Sequence, residues 1–295
     1  MSLPNYILLG AAKSATTSIY DILKQHQDIF APAFKEPHFF DFDENFSKGL
    51  EWYSTTYYKN VKKEKVVFDF TPTYLYFSNC AERIHKSFGS NIKFIVLIRN
   101  PVDRAYSHYN HSVRDGFENL KFKNALEEEN SRLLKYKADN NILSEIRCSY
   151  ISQGLYFKML SAYLKYYDLD NFLIINFDDE IIKNSKLVAN KLSDFLSLDL
   201  TGLDFTIHSN KSGKSKNKLI QNLILSNNYF RKILKKIVPQ KSKQIIRNKI
   251  KNLNKEDFKY PEITNAEKQF IFKKYFQEDT YKLEKFLKIK TNWYS

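Results

Sequence analysis

Residues 6–23 read YILLGAAKSATTSIYDIL, and this stretch sets the architecture. Residues 6–9 form an unbroken apolar run, the pattern of a strand buried on both faces. Small and polar residues follow from Gly10 to Ala15, and a helix is expected over about 16–25, with Ile19, Ile22 and Leu23 on one face. A strand, loop and helix in this order build an anion site. Backbone N–H groups at the helix start have no intrahelical partner, and the helix dipole favours negative charge there. The loop supplies one lysine and four hydroxyls, which makes Lys13, Ser14, Ala15, Thr16, Thr17 and Ser18 the candidate phosphate ligands. The spacing is not that of a nucleoside-triphosphate loop, which places a glycine directly before the lysine. Here Ala12 precedes Lys13, and only Ala11 and Ala12 separate it from Gly10. A plainer reading of the same residues is a hydroxyl-capped helix carrying a surface lysine.

Outward from this unit, residues 66–69, 92–98 and 172–177 read as further strands, and residues 92–98 (IKFIVLI) carry the strongest β-branched signal. Asn100-Pro101 starts a helix, with proline at a position where its missing N–H costs nothing. Residues 185–197 form an amphipathic helix, and 262–287 read as one long terminal helix. Strands alternating with helices predict an α/β fold with a mainly parallel central sheet flanked by helices. One domain over 1–295 is the simplest organisation, with a polar helical insertion at about 115–147 and a second helical segment at about 211–259.

That second segment holds thirteen lysines and two arginines against Glu256 and Asp257, and so accounts for nearly all of the net charge of +14. It fits peripheral contact with an anionic membrane or a polyanion, and equally a solvated helical face. Nucleic acid is not an expected partner. No apolar run is long enough to cross a membrane, and no basic segment precedes the first one, so neither a spanning helix nor a leader is expected. The two cysteines, Cys80 and Cys148, give no disulfide framework, and a reducing cytoplasmic setting is expected.

A second phosphate site is expected in IVLIRNPVDRAYSHY, residues 95–109. Arg99 follows the carboxyl end of a strand, where open α/β sheets bind ligands, and its guanidinium can grip a phosphate through two bonds. Ser107, on the next helix, can add a hydrogen bond. Arg104 reads as a helix-surface residue. His108 and His111 share a helical face, but no third ligand accompanies them, so they read as structural and no metal is expected.

Taken together, GAAKSATTS, KEPHFFDFDENFSKGLEWY, DFTPTYLYF, IRNPVDRAYSHY, the GLYFKMLSAYLKYY helix, the loop NKSGKSKN and a C-terminal helix ending near Trp293 resemble the sulfotransferases that use 3′-phosphoadenosine 5′-phosphosulfate (PAPS). The resemblance is closest to the heparan sulfate 3-O- and N-sulfotransferase branch and its bacterial relatives, and it covers nearly the whole chain. It implies a P-loop-like three-layer fold. It also implies transfer of a sulfuryl group to a hydroxyl or amine, in carbohydrate or glycoconjugate acceptors, leaving adenosine 3′,5′-bisphosphate (PAP). By resemblance, residues Lys13 to Ser18 take the 5′-phosphosulfate and Arg99 with Ser107 takes the 3′-phosphate. Lys211, Ser212, Gly213 and Lys214 form a late loop over the nucleotide. Glu36 is the base, His38 assists it and Lys13 stabilises the leaving group. Lys35, Glu36, His38, Thr71, Thr73 and Tyr156 face the acceptor. Asp41 and Asp43 are nearby carboxylates expected to be exposed.

Two departures stand out. The basic segment contains no cysteine, so the disulfide that the heparan sulfate enzymes carry in this region is absent. Phe70 stands where the animal enzymes have a lysine, which argues against a heparan-like acceptor. Two other readings remain at this point. A nucleotide kinase would need a Walker-type loop and a magnesium-holding carboxylate, for which only Asp69 is available. A non-catalytic polyanion- or membrane-binding protein would use the basic segment.

Overall fold

The computed structural model describes residues 1–206, 213–215, 255–257 and 261–294. Five parallel strands form one sheet: β1 (Tyr6–Gly10), β2 (Ile29–Phe30), β3 (Val66–Asp69), β4 (Lys93–Ile98) and β5 (Phe172–Asn176), in the order β2-β3-β1-β4-β5. The chain passes from β1 to β2 and β3 on one side and then crosses to β4 and β5 on the other, so the order of connection reverses next to β1. Crevices at the carboxyl ends of strands flanking such a reversal are where open α/β sheets take their ligands.

The apolar runs are explained by burial on both faces. Ile7, Leu8 and Leu9 are fully buried, as are Phe94 to Ile98. Tyr6, Leu8, Phe68, Ile95, Leu97 and Ile175 line one face. Ile19, Ile22 and Leu23 of α1 (Thr16–Leu23) join them, with Val188, Leu192 and Leu196 of a later helix over Ser185–Leu196. On the other face Phe94 meets Tyr163, of a helix over Tyr156–Tyr163, edge-on at 5.6 Å. The sheet is therefore the middle layer of three.

Between β2 and β3 lie two short helices, α2 (Asp43–Phe46) and α3 (Gly49–Tyr53), and a π-turn over Ser54–Tyr58. Helix α4 (Asn79–Phe88) leads to β4, and α5 (Pro101–Arg114) follows it. The predicted polar insertion is three helices, α6 (Phe122–Glu127), α7 (Glu129–Ala138) and α8 (Ile142–Cys148), before α9 (Tyr156–Tyr163), β5 and α10 (Ser185–Leu196).

The terminal segment is not one helix. It divides into α11 (Asn265–Tyr275) and α12 (Gln277–Leu287). The division falls at Phe276, which is fully buried, with φ −122° and ψ −19°. Asp279 of α12 then reaches the start of α9, where its two carboxylate oxygens accept the backbone N–H groups of Phe157 and Lys158 at 3.0 and 2.9 Å.

The chain forms two compact units: Met1–Ala105 with Ile151–His208 and Asn265–Ser295, and Tyr106–Tyr150 with Ser209–Thr264. The first holds the five-stranded sheet. In the second, buried Glu118 accepts from Arg132 at 2.7 Å and from Tyr150 at 2.9 Å. Buried Asp115 gathers Arg114, Arg147 and His111 within 3.3 Å. The same unit contains the antiparallel strands β6 (Gly213–Ser215) and β7 (Lys255–Asp257). Among the described residues no helix is long and apolar enough to cross a membrane.

Candidate active site

The loop after β1 departs from ordinary backbone geometry where an anion would sit. Lys13 and Ala15 both adopt left-handed conformations, φ 74° and 68°. Residues without glycine's freedom hold such angles only where the surroundings enforce them, and alternation of this kind turns successive N–H groups into a concave anion nest. Gly10 is required for a separate reason. Its φ is 154°, and a Cβ there would stand 2.9 Å from the carbonyl oxygen of Pro72, so no larger residue lets the β3–α4 loop close against β1.

The hydroxyl-capped alternative for this loop fails at the cap itself. The N-cap position of α1 is Ala15, which makes no side-chain cap bond. Ser14 is fully buried, and its Oγ has no hydrogen-bond partner among the described residues. A buried hydroxyl left this way is costly unless a ligand completes it. The loop therefore fits a phosphate or sulfate group.

Arg99, directly after β4, is joined to this loop: its Nη1 donates to the carbonyl of Lys13 at 2.9 Å. The guanidinium lies over the Phe177 ring at 4.7 Å, and its Nε has no partner among the described residues. Tyr156 fixes the backbone at this point, with its hydroxyl donating to the Arg99 carbonyl at 2.7 Å and accepting the Arg99 N–H at 3.2 Å. One residue on, Asn100 N–H bonds to Asp178 at 2.6 Å, and Asp178 also accepts from Trp293 at 3.1 Å.

The loop after β2 carries the third set of groups. Tyr20 of α1 donates to the Pro32 carbonyl at 3.0 Å and ties this loop to the first. Lys35 Nζ contacts Glu36 Oε1 at 2.8 Å, and His38 Nε2 lies 3.6 Å from Glu36 Oε2. The other imidazole nitrogen, Nδ1, stands 2.8 Å from Asp41 Oδ2, which also accepts from Thr73 at 2.6 Å. His38 has φ 51°, the third left-handed non-glycine residue in these loops. The result is a chain of groups, Asp41 to His38 to Glu36, with Lys35 on the outer oxygen.

This arrangement sets the charge states. Burial works against the Glu36 anion, but the hydrogen bond from His38 and the charges of Lys35 and His38 outweigh it and hold its pKa at about 2. Burial also opposes a charged His38, yet the bonds to Asp41 and Glu36 prevail and raise it to about 10. At neutral pH the site thus presents an ionised carboxylate backed by an imidazolium.

Several expectations need correction. Asp41 is buried rather than exposed, with His38 and Thr73 both bound to its Oδ2 and no hydrogen-bond partner on its Oδ1 among the described residues; Asp43 is exposed, as expected, and pairs with Arg83. Thr71, Thr73 and Tyr156, expected to face the acceptor, are buried with hydroxyls bonded to Asp69, Asp41 and the Arg99 backbone. Arg104 is fully buried, not on the surface. Asp69, the carboxylate a kinase would need, is fully buried and accepts from Tyr53, Thr71 and Tyr74 at 2.5, 2.6 and 3.0 Å, which leaves it turned inward. Phe70 is buried in edge-on contact with Tyr20 at 5.1 Å.

His108 and His111 serve packing and pairing: His108 is buried edge-on against Tyr150, and His111 bonds to Arg147. Ser107 lies on α5 within the second unit. Lys211 and Ser212 lie outside the described residues, as does most of the basic segment; Gly213 and Lys214 belong to β6, opposite Asp257 and Glu256.

Comparison with known proteins gives a consistent result. A family model described as a sulfotransferase domain matches residues 3–286. Heparan sulfate glucosamine 3-O-sulfotransferase 5 of Mus musculus is 31% identical over 204 residues, covering 66% of this chain and 54% of that protein. Heparan sulfate glucosamine 3-O-sulfotransferase 3B1 of Homo sapiens is 27% identical over 215 residues, covering 71% and 50%. The chain spans about half the length of these curated relatives. Among solved structures, a sulfotransferase from Alicyclobacillus acidocaldarius superposes with a TM-score of 0.60 at 28% identity, covering 76% of this chain and 91% of that one.

Proposed function

The chain belongs to the sulfotransferase domain family, and on that premise we propose that it transfers a sulfuryl group from PAPS to a hydroxyl or amine of a carbohydrate or glycoconjugate. The observation that carries the reading is the bond from Arg99 to the Lys13 carbonyl. It joins the two segments that would hold the two ends of a 3′-phosphorylated nucleotide. The uncapped start of α1, the buried Ser14 hydroxyl and Lys13 receive the 5′-phosphosulfate, and Arg99 grips the 3′-phosphate. The parts assigned to Ser107 and to Lys211, Ser212, Gly213 and Lys214 rest on the resemblance.

In the reaction the acceptor oxygen or nitrogen forms a bond to sulfur as the bond from sulfur to the 5′-phosphate oxygen breaks. Glu36 takes the proton that the acceptor loses. Its low basicity suits an acceptor whose proton becomes acidic only as the new bond forms, while His38 and Lys35 keep the carboxylate ionised and aimed. Lys13 offsets the charge that grows on the departing phosphate oxygen, as preorganised donors do in other group transfers. Asp41 and Thr73 hold His38 in place.

Isothermal calorimetry with PAP and with ATP plus magnesium tests the reading. Saturable binding of PAP, and none of comparable strength for ATP, is the expected result. Preference for ATP with magnesium would overturn it, as would PAP affinity unchanged in Arg99→Ala.

A further inference from the structure

Two residues before Glu36, Phe34 leaves 45% of its surface open to solvent. An aromatic ring held in the open beside a reactive carboxylate calls for a reason. Its ring lies 6.2 Å from that of Tyr57, inclined by 58°, and Tyr57 in turn meets Trp52 edge-on at 5.8 Å. This group is fastened to the loop that carries Glu36. The Tyr57 hydroxyl donates to the carbonyl of Pro37, at 3.3 Å, and Trp52 stacks on buried Phe39 at 6.3 Å. Phe34 is thus the outer member of a braced aromatic row tied to the loop that carries the proposed base.

The charge around this row is wrong for a polyanion. Residues 31–59 contain three lysines and the charged His38 against five carboxylates, one of them the buried Asp41. Lys35 is taken by Glu36, and Lys48 sits 4.5 Å over the Trp52 ring and donates to Asn45 at 3.1 Å. The side chains of Asp43 and Glu44 are 85% and 91% exposed, the first paired with Arg83 and the second 3.9 Å from Lys48. Phe70, buried against Tyr20 and Phe68, brings no cation from the neighbouring loop. A highly sulfated chain would meet carboxylates here, whereas a neutral ring would meet an apolar face of its own size.

We propose that Phe34, backed by Tyr57 and Trp52, is the acceptor platform, and that the acceptor is a neutral glycoside whose pyranose C–H face packs on Phe34. This rests on the sulfuryl-transfer reading and narrows its substrate class. Removing apolar area from water supplies the affinity, and the ring's fixed position presents one hydroxyl to Glu36.

The test uses the full chain with PAPS, and two kinds of probe: p-nitrophenyl glycosides of glucose, galactose and N-acetylglucosamine, and N-sulfated heparosan oligosaccharides. Transfer of labelled sulfate to at least one neutral glycoside, in preference to N-sulfated heparosan, is expected. In Phe34→Ala the KM for that glycoside should rise roughly tenfold, because the sugar no longer buries its apolar face against a ring, with PAP affinity and kcat little changed. Phe34→Tyr should restore it. Transfer only to N-sulfated heparosan, transfer to none of the probes, or an unchanged KM in Phe34→Ala would overturn the platform. If PAP binding measured alongside is intact, those results leave the sulfuryl-transfer reading standing. Failure to bind PAP overturns both.

Discussion

Replacing Asp41 by Asn removes one charge while keeping size and shape, and so isolates what that carboxylate does for His38. Asp41 Oδ2 lies 2.8 Å from His38 Nδ1, and the amide oxygen of Asn can still accept from Thr73. For two unit charges about 4 Å apart at an effective dielectric of about 20, the attraction removed is roughly 4 kcal/mol. At about 1.4 kcal/mol per pH unit that corresponds to a fall of about three pH units. His38, held at about 10 in the parent protein, should then titrate near neutrality. Nitrogen-15 spectra of the imidazole, recorded across a pH series, read this directly. A kinetic consequence follows. Once His38 loses its proton near neutral pH, Glu36 keeps only Lys35 beside it, and the alkaline limb of the kcat profile should move down by a similar interval. An imidazole that titrates as in the parent, or an alkaline limb that stays in place, would refute the Asp41–His38–Glu36 chain as the source of the site's charge state.

Lys13→Ala should lower kcat about a hundredfold or more, the scale of losing one preorganised donor to a developing oxyanion. Glu36→Gln should lower kcat at saturating acceptor while PAP affinity is kept; parent-level turnover would remove Glu36 from the mechanism. Stability should also depend on pH through His38. Because its folded pKa, about 10, lies above the ordinary histidine value, its stabilising contribution is complete below about pH 6.5 and is lost as pH rises toward 10. Thermal melts followed by circular dichroism should show this decline in the parent protein and a flatter alkaline profile in His38→Gln.

The features legible in the sequence were those that local pattern dictates. Strand β3 is legible at its observed limits, and β1 and β4 to within one residue at each end, because strands buried on both faces are apolar almost throughout. The loop 10–18 announced itself through small residues and hydroxyls at a helix start, whatever their final partners. Strand β2, with two residues, is too short to leave a pattern. The division at Phe276 is hidden for a different reason. Ile271, Phe272, Phe276, Thr280 and Leu283 are all buried and fall at intervals of one, four, four and three, which a single amphipathic helix would also show. No glycine or proline marks the change of direction.

The misread polar residues share one physical cause. An Asp in FFDFD looks exposed because a buried carboxylate must be satisfied, and nothing adjacent in the chain satisfies Asp41 completely. One of its partners is three residues away, but the other is Thr73, thirty-two residues on and brought in by the closing of the β3–α4 loop against Gly10. Tyr156 follows the same logic, since its partner backbone at Arg99 is fifty-seven residues distant. These partnerships explain why the site divides as it does. Groups that a ligand would complete, such as Ser14 Oγ and Arg99 Nε, lie on the loops after β1 and β4. Thr71, Thr73 and Tyr156, whose hydroxyls are bonded within the protein, stand behind them with Asp41 and fix the position of His38 and of the Arg99 backbone. The proposed base Glu36 lies between these classes: it has protein partners that set its charge, and it retains enough exposure to meet an acceptor. A residue in that intermediate state is suited to chemistry. A fully completed carboxylate such as Asp69 can only support the fold, and the exposed Asp43 is taken by Arg83.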